Sequence, residues 1–228
     1  MSEVLVPPLP GADARSDAPP LMAGDHLSRP EFERRYLASP HVKKAELVEG
    51  IVFMPSPSIF STHAAPHGKL SAWVGLYAAK TPGVDFAIEP TVRLDLSNEP
   101  QPDVILRWLP EHGGQSRVDE SGYLTGPPDL AVEISASSAS YDMHRKKRAY
   151  ERNGVREYLV WLTCEKRVLW FGLRDGEYAT LEPDSNGVLK SAIFPGLWLD
   201  VKALLENDFA RVMDVLDQGV TSRTGLER

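Results

Sequence analysis

The sequence predicts a mixed α/β (α+β) domain, and three observations carry that expectation. Short apolar runs rich in β-branched and aromatic residues read as strands: QPDVILRW from Gln101, DLAVEIS from Asp129, REYLVWL from Arg156 and RVLWFGL from Arg167. Between His63 and Lys80, by contrast, Leu70, Trp73, Val74, Leu76 and Tyr77 recur at helical spacing and predict a core helix. Proline and glycine punctuate the two kinds of segment, as in Thr81-Pro82-Gly83, which closes that helix.

Taken in order, residues 1–27 hold Pro7, Pro8, Pro10, Pro19 and Pro20 without an apolar period, and read as a disordered or loosely draped arm. Ser28, Pro30 and Glu31 have the order of a helix start, so EFERRYLA is a short helix. Leu47, Val48, Ile51, Val52 and Phe53 flank Glu49-Gly50 as two strands around a tight turn. VDFAIEP and TVRLDLS alternate as two strands of one hairpin or meander, and residues 109–128 read as an excursion loop. SYDMHRKKRAYERNGV is a helix ended by Gly154; REYLVWL and RVLWFGL are antiparallel across Cys164-Glu165-Lys166, and GEYATLEP adds an edge strand. A closing helix reaches about Leu216, which gives one domain over residues 28–218 and a frayed tail over 219–228.

Composition narrows the class of protein. With 228 residues, 42% hydrophobic and 25% charged, the chain is long enough for one good core. No apolar run approaches the roughly 18–20 residues of a membrane span, and MSEVLVPPLPG lacks the basic and apolar regions of a signal peptide, so the expected location is cytoplasmic. The lone Cys164 excludes an internal disulfide and a cysteine-rich zinc site. A net charge of −7 argues against indiscriminate binding to nucleic acid and leaves only a local basic surface. Tyr141–Tyr158 is the segment for one, with Arg145, Lys146, Lys147, Arg148, Arg152 and Arg156 against Asp142, Glu151 and Glu157; a solvated helix face is the alternative.

The acids in the apolar runs carry the chemistry. Asp103 opens one predicted strand and Glu133 lies near the end of another, so neighbouring strands would bring the two carboxylates to one end of a sheet. Two carboxylates suit magnesium, which prefers oxygen ligands and keeps several waters, and a metal held there can activate a water against a phosphodiester. Asp142, Lys146 and Tyr150 follow four apart on one helical face, and the lysine would offset charge developing on the phosphate. Each assignment has a structural counterpart. Asp103 could bond its own backbone, Lys146 could pair with Asp142, and Glu46 could be a solvated edge charge. Glu133 is the hardest to dismiss, because a carboxylate in an apolar run requires a partner. His63 and His67, four apart, could ligate a metal, but no third ligand is evident and Pro66 interrupts the segment.

The order of these residues resembles a known family. Glu46-Leu47-Val48-Glu49-Gly50, Pro55-Ser56-Pro57-Ser58, a histidine, Pro102-Asp103-Val104, Pro128-Asp129-Leu130-Ala131-Val132-Glu133-Ile134, then Asp142, Lys146, Tyr150, Gly154-Val155 and Glu157-Tyr158 together resemble the Uma-two family, within the PD-(D/E)xK nuclease class. The resemblance runs from about residue 30 to about residue 205 and implies a restriction-endonuclease-like central mixed β-sheet flanked by helices. It implies Asp103 and Glu133 as metal-binding acids, Lys146 as a catalytic lysine moved onto the helix, and Glu46 as an acid from the first part of the core. His67, Asp142 and Tyr150 would support them, with His63 the other candidate histidine. Two departures stand out: Ser135 occupies the place where the wider class carries its lysine, and ISASS lacks the family's strand-end proline.

The expected function is therefore a Mg2+- or Mn2+-dependent DNA endonuclease, with a homodimer supplying two active sites for two strands. The alternative is a catalytically silent nuclease-like module that binds nucleic acid or a protein partner. A histidine-based metal hydrolase would require a further ligand beside His63 and His67.

Overall fold

The computed structural model describes residues 18–226. In chain order the elements are α1 (Arg29–Leu37), β1 (Glu46–Val48), β2 (Ile51–Phe53), a π-helical turn (Phe60–Ala64) running into α2 (Ala65–Ala79), β3 (Val84–Ile88), β4 (Val92–Arg93), β5 (Val104–Trp108), β6 (Arg117–Val118), β7 (Leu124–Thr125) and β8 (Leu130–Ser135). Then come α3 (Ala139–Tyr141), a second π-helical turn (Asp142–Lys146), α4 (Lys147–Asn153), β9 (Glu157–Leu162), β10 (Arg167–Arg174), β11 (Glu177–Thr180), β12 (Val188–Lys190), β13 (Trp198–Asp200), α5 (Val201–Leu205) and α6 (Phe209–Leu226).

A six-stranded mixed sheet, in the order β11-β10-β9-β8-β5-β3, forms the centre. Strands β8 and β9 are parallel, with Glu133 beside Val160, and the other neighbours are antiparallel. Both central strands are buried along their whole length, which explains why LAVEIS and EYLVWL are nearly continuous apolar runs: helices cover both faces. Val104, Leu106, Leu130, Val132, Ile134, Leu159 and Trp161 point to one face, against Leu70, Trp73, Val74 and Tyr77 of α2 and Val212 and Leu216 of α6. Ala131, Tyr158 and Val160 point to the other, against Tyr150 of α4 and Val155. Glu133 shares the parity of Ala131, so its side chain faces the layer made by α3, the second π-turn and α4.

Several expectations hold in detail. The turn between β1 and β2 has Glu49 at φ 54° and Gly50 at φ 74°, the pair of positive angles a two-residue hairpin turn demands. Gly154 closes α4 at φ 81°, β9 and β10 are antiparallel, and β11 is an edge strand.

Others are corrected. The segments at Val84–Ile88 and Val92–Arg93 are both strands but not partners: β3 pairs with β5, while β4 joins β7 and β6 in a separate three-stranded sheet. Alternation reveals a strand but not its partner, and here the partners are supplied by residues 104–108 and 124–125. Residues 109–128 are accordingly no bare excursion, since they carry β6 and β7. Pro66 does not interrupt its helix: it follows directly on the π-helical turn, and the Thr62 carbonyl four residues before it accepts instead from the Thr163 hydroxyl at 2.8 Å.

The boundaries of the folded region are wider than expected. The first part of the arm, residues 1–17, lies outside the described residues. From residue 18 onward it is tied down: the Gly24 and Leu27 amides donate to Val52 and Gly50 carbonyls at 2.8 Å each, and Leu21 is buried with Phe32, Ala45, Leu47 and Val52. At the other end α6 continues to Leu226, with Gly219 and Val220 buried. A Cβ on Gly219 would lie 2.4 Å from the Gly196 carbonyl oxygen, so the helix approaches that loop as closely as only glycine permits.

Candidate active site and metal centre

Four chain segments converge at the end of the sheet where β8 finishes and β5 begins. Val104 of β5 faces Val132 of β8, so one step further along the antiparallel pair Asp103 falls opposite Glu133, on the same face. The Asp103 carboxylate extends the ladder, accepting the Ile134 amide at 2.7 Å. The structural alternative for Asp103, a bond to its own backbone, is thus replaced by a bond to the neighbouring strand.

Lys146 decides the geometry. Its ammonium lies 3.0 Å from Glu133 Oε1 and 3.0 Å from Glu46 Oε2, and 3.9 Å from Asp142 Oδ1. The lysine therefore turns toward the sheet acids and is not merely the helical partner of Asp142. Tyr150, one turn on, donates its hydroxyl to the same Glu133 oxygen at 2.8 Å. Glu46 is held in turn by the Gln101 amide at 3.0 Å, and Asp142 by the Ser138 hydroxyl at 2.5 Å. The Tyr158 hydroxyl donates to the Asp142 carbonyl at 3.1 Å, which pins the π-turn to β9. A π-turn carries one residue more than the helix around it, a feature found often at functional sites; this one contains both Asp142 and Lys146.

Glu46, Asp103, Glu133, Asp142 and Lys146 are all buried; three of the four carboxyl groups lie within 4 Å of the one ammonium, and Asp103 turns to His63. Burial and the neighbouring carboxylates push Glu133 well above the usual carboxylate range in spite of Lys146. Asp142 is raised by burial for the same reason. Burial opposes the charged form of Lys146, yet Glu133, Glu46 and Asp142 outweigh it and raise its pKa. Asp103 differs: burial works against its charge, but His63, the Ile134 amide and Lys146 together hold its pKa below the ordinary value. It is the acid best prepared to meet a cation as a carboxylate.

The donor set fits a hard divalent cation. A cluster with more carboxyl groups than cations is relieved by added positive charge, and carboxylate oxygens are the ligands such an ion prefers. Beside Lys146 the Tyr141 hydroxyl is buried with no hydrogen-bond partner among the described residues, and the ammonium lies 5.6 Å from its ring. A hydrated ion would give that orphaned group a partner.

Histidines complete the other side of Asp103. His63, in the first π-turn, places Nε2 3.4 Å from Asp103 Oδ1, and His67, in the first turn of α2, places Nε2 2.9 Å from the Asp103 carbonyl oxygen. Ligand atoms of His63, His67 and Asp103 all lie within 4.8 Å of one another. Asp103 is the third group that spacing alone could not locate, and the fold brings both histidines to it. What hid it was the distance in sequence between α2 and β5.

Two acids of the sequence pattern have structural duties instead. Asp129 accepts the Trp108 amide at 2.8 Å and pairs with Arg156 at 2.8 Å. Glu157 is fully buried and accepts from Trp170 Nε1, the Ser191 hydroxyl and the Ala192 and Ile193 amides, which anchors the loop before β13.

The fold, a mixed sheet flanked by helices, has a counterpart among solved structures. The chain is similar to the protein titled "Crystal structure of a putative nuclease belonging to DUF820 from Anabaena variabilis ATCC 29413", with a TM-score of 0.55 and 16% identity, covering 71% of this chain and 89% of that one. At that identity the likeness concerns the fold. The family described as "Uma2: Putative restriction endonuclease" matches residues 29–202, most of the chain, and the protein belongs to that family. No curated protein matches the sequence.

Proposed function

We propose that this protein is a metal-dependent DNA endonuclease that hydrolyses phosphodiester bonds. The observation that carries the reading is the contact of Lys146 with Glu133 at the end of β8, on the face to which Asp103 also points. Family membership supports it.

Asp103 and Glu133 would hold Mg2+ or Mn2+, which when bound supplies charge to polarise the phosphate and acidify a water. The residues of the chain do the rest. Glu133 is fixed by Lys146 and Tyr150, so its carboxylate keeps one orientation. Lys146 places a full positive charge in a buried, water-poor setting, where it would stabilise negative charge building on the phosphate far more than it could in water. Glu46 holds Lys146 from the opposite side, and Asp142 and Tyr158 hold the turn that presents it. Substrate DNA would meet the half-buried Arg145 and the exposed Arg148 on the same helical stretch as Lys146. A homodimer would bring two such sites to two strands.

A second reading, a silent module that binds nucleic acid or a protein, has one observation in its favour. The Lys146 ammonium already contacts two carboxylates.

Incubating the purified chain with supercoiled plasmid, with Mg2+ or Mn2+ and with chelator, separates the two. Nicked or linear product is expected with metal only, and Asp103→Asn or Lys146→Ala should slow cleavage by about 10²–10³-fold. Intact plasmid under every metal condition would reject the enzyme in favour of the binding module.

A further inference from the structure

We infer that His63, His67 and Asp103 form a binding site for a first-row transition-metal dication, of the Zn2+ type, distinct in chemistry from the carboxylate cluster at Glu133. The site stands on its own geometry, whether or not the protein cuts DNA.

Three ligand atoms within 4.8 Å of one another are close enough to coordinate a single ion, and the two histidines come from consecutive turns of one continuous helical segment. The set is two imidazoles and one carboxylate. That composition suits zinc and its neighbours, whereas magnesium favours an all-oxygen shell with several waters.

Each ring is also oriented as ligating histidines are. His67 Nε2 faces the Asp103 carbonyl at 2.9 Å, and His63 Nδ1 faces the Ser58 hydroxyl at 3.2 Å. A backbone carbonyl can only accept, so His67 carries its proton on Nε2 there, which leaves Nδ1 as its nitrogen with a free lone pair. Ser58 bonds one nitrogen of His63 and leaves Nε2 toward Asp103. Three protein ligands leave a fourth tetrahedral position for water or a substrate oxygen. Asp103 would then border both the histidine site and the Glu133 pocket.

The test is a Zn2+ titration of the metal-free full chain against a chromophoric chelator, with Mg2+ as a parallel probe and circular dichroism to confirm folding. One Zn2+ per chain is expected, unaffected by millimolar Mg2+. His63→Ala and His67→Ala should each weaken it by at least about tenfold while leaving the dichroism unchanged. Glu133→Gln should change Zn2+ affinity by less than about threefold. Absence of Zn2+ binding, histidine variants that bind as the parent does, or loss of binding in Glu133→Gln would each overturn the assignment. Plasmid cleavage with Mg2+ reads out the nuclease proposal separately, so either can fail alone.

Discussion

Lys146 keeps its charge in the interior because carboxylates surround it, and the converse is also true: Glu133 and Glu46 are tolerated there because of the lysine. Removing one partner of such a cluster leaves the others uncompensated, at a cost of about 3–5 kcal/mol. Lys146→Met should therefore lower unfolding free energy by about that amount in urea, and adding Glu133→Gln should recover part of it. A second residue-scale prediction concerns Glu99. Burial, and then the neighbouring Glu33 carboxyl, push Glu99 up to about 8 despite Arg93. Between its ordinary 4.5 and about 8 the folded protein holds a proton that the unfolded chain has released. This group's contribution is thus full below pH 4.5 and is lost as pH rises through about 8. Glu133 and Asp142, also raised, tilt stability the same way, so the comparison with Glu99→Gln isolates one group. The variant should show a flatter loss of urea midpoint between pH 5 and pH 8, and equal slopes in the two proteins would reject the assignment.

At the scale of elements, the helix between β8 and β9 carries the lysine, and it ends at Gly154. The φ of 81° there suits glycine, and an added Cβ would meet nothing within 4 Å. Gly154→Ala should consequently cost about 1–2 kcal/mol from backbone strain alone, measured as a shift in denaturant midpoint without loss of the ion pairs. Helix positions, hairpin turns and caps of this kind were legible in the sequence because their signals are local. Neither π-turn was, since an i→i+5 bond leaves no mark in hydrophobic spacing. Strand partners of β3 and β4 were hidden as well, because pairing is decided by residues far along the chain. Among the site residues, Glu133 announced itself as an acid in a buried strand. His63 did not, for its partner Asp103 lies just before a strand, 40 residues away by number, joined only by the fold.

For the molecule as a whole, a net charge of −7 requires that any DNA contact be local. The basic surplus seen in the sequence around Arg145 and Arg148 is partly offset in three dimensions, because Glu49 pairs with Arg148 at 2.9 Å and approaches Arg145 at 3.6 Å. Glu49 sits in the β1–β2 turn, so the sequence could not count it with the helix. On the DNA-binding reading, Glu49→Gln should tighten binding and steepen its dependence on salt by about one counterion per guanidinium released. Fluorescence anisotropy at several salt concentrations measures this, and an unchanged slope would place the DNA elsewhere.

The bond between Ile134 and Asp103 has a further consequence. Strand β5 begins at Val104, so the Ile134 amide finds its acceptor in a side chain that also belongs to the proposed metal sites. Any ion that draws on that carboxylate competes with the amide for it. Solvent exchange at this one N–H, followed by NMR as metal is added, would then act as a built-in gauge of occupancy: the sheet's terminal hydrogen bond reports from inside the core whether the pocket is filled.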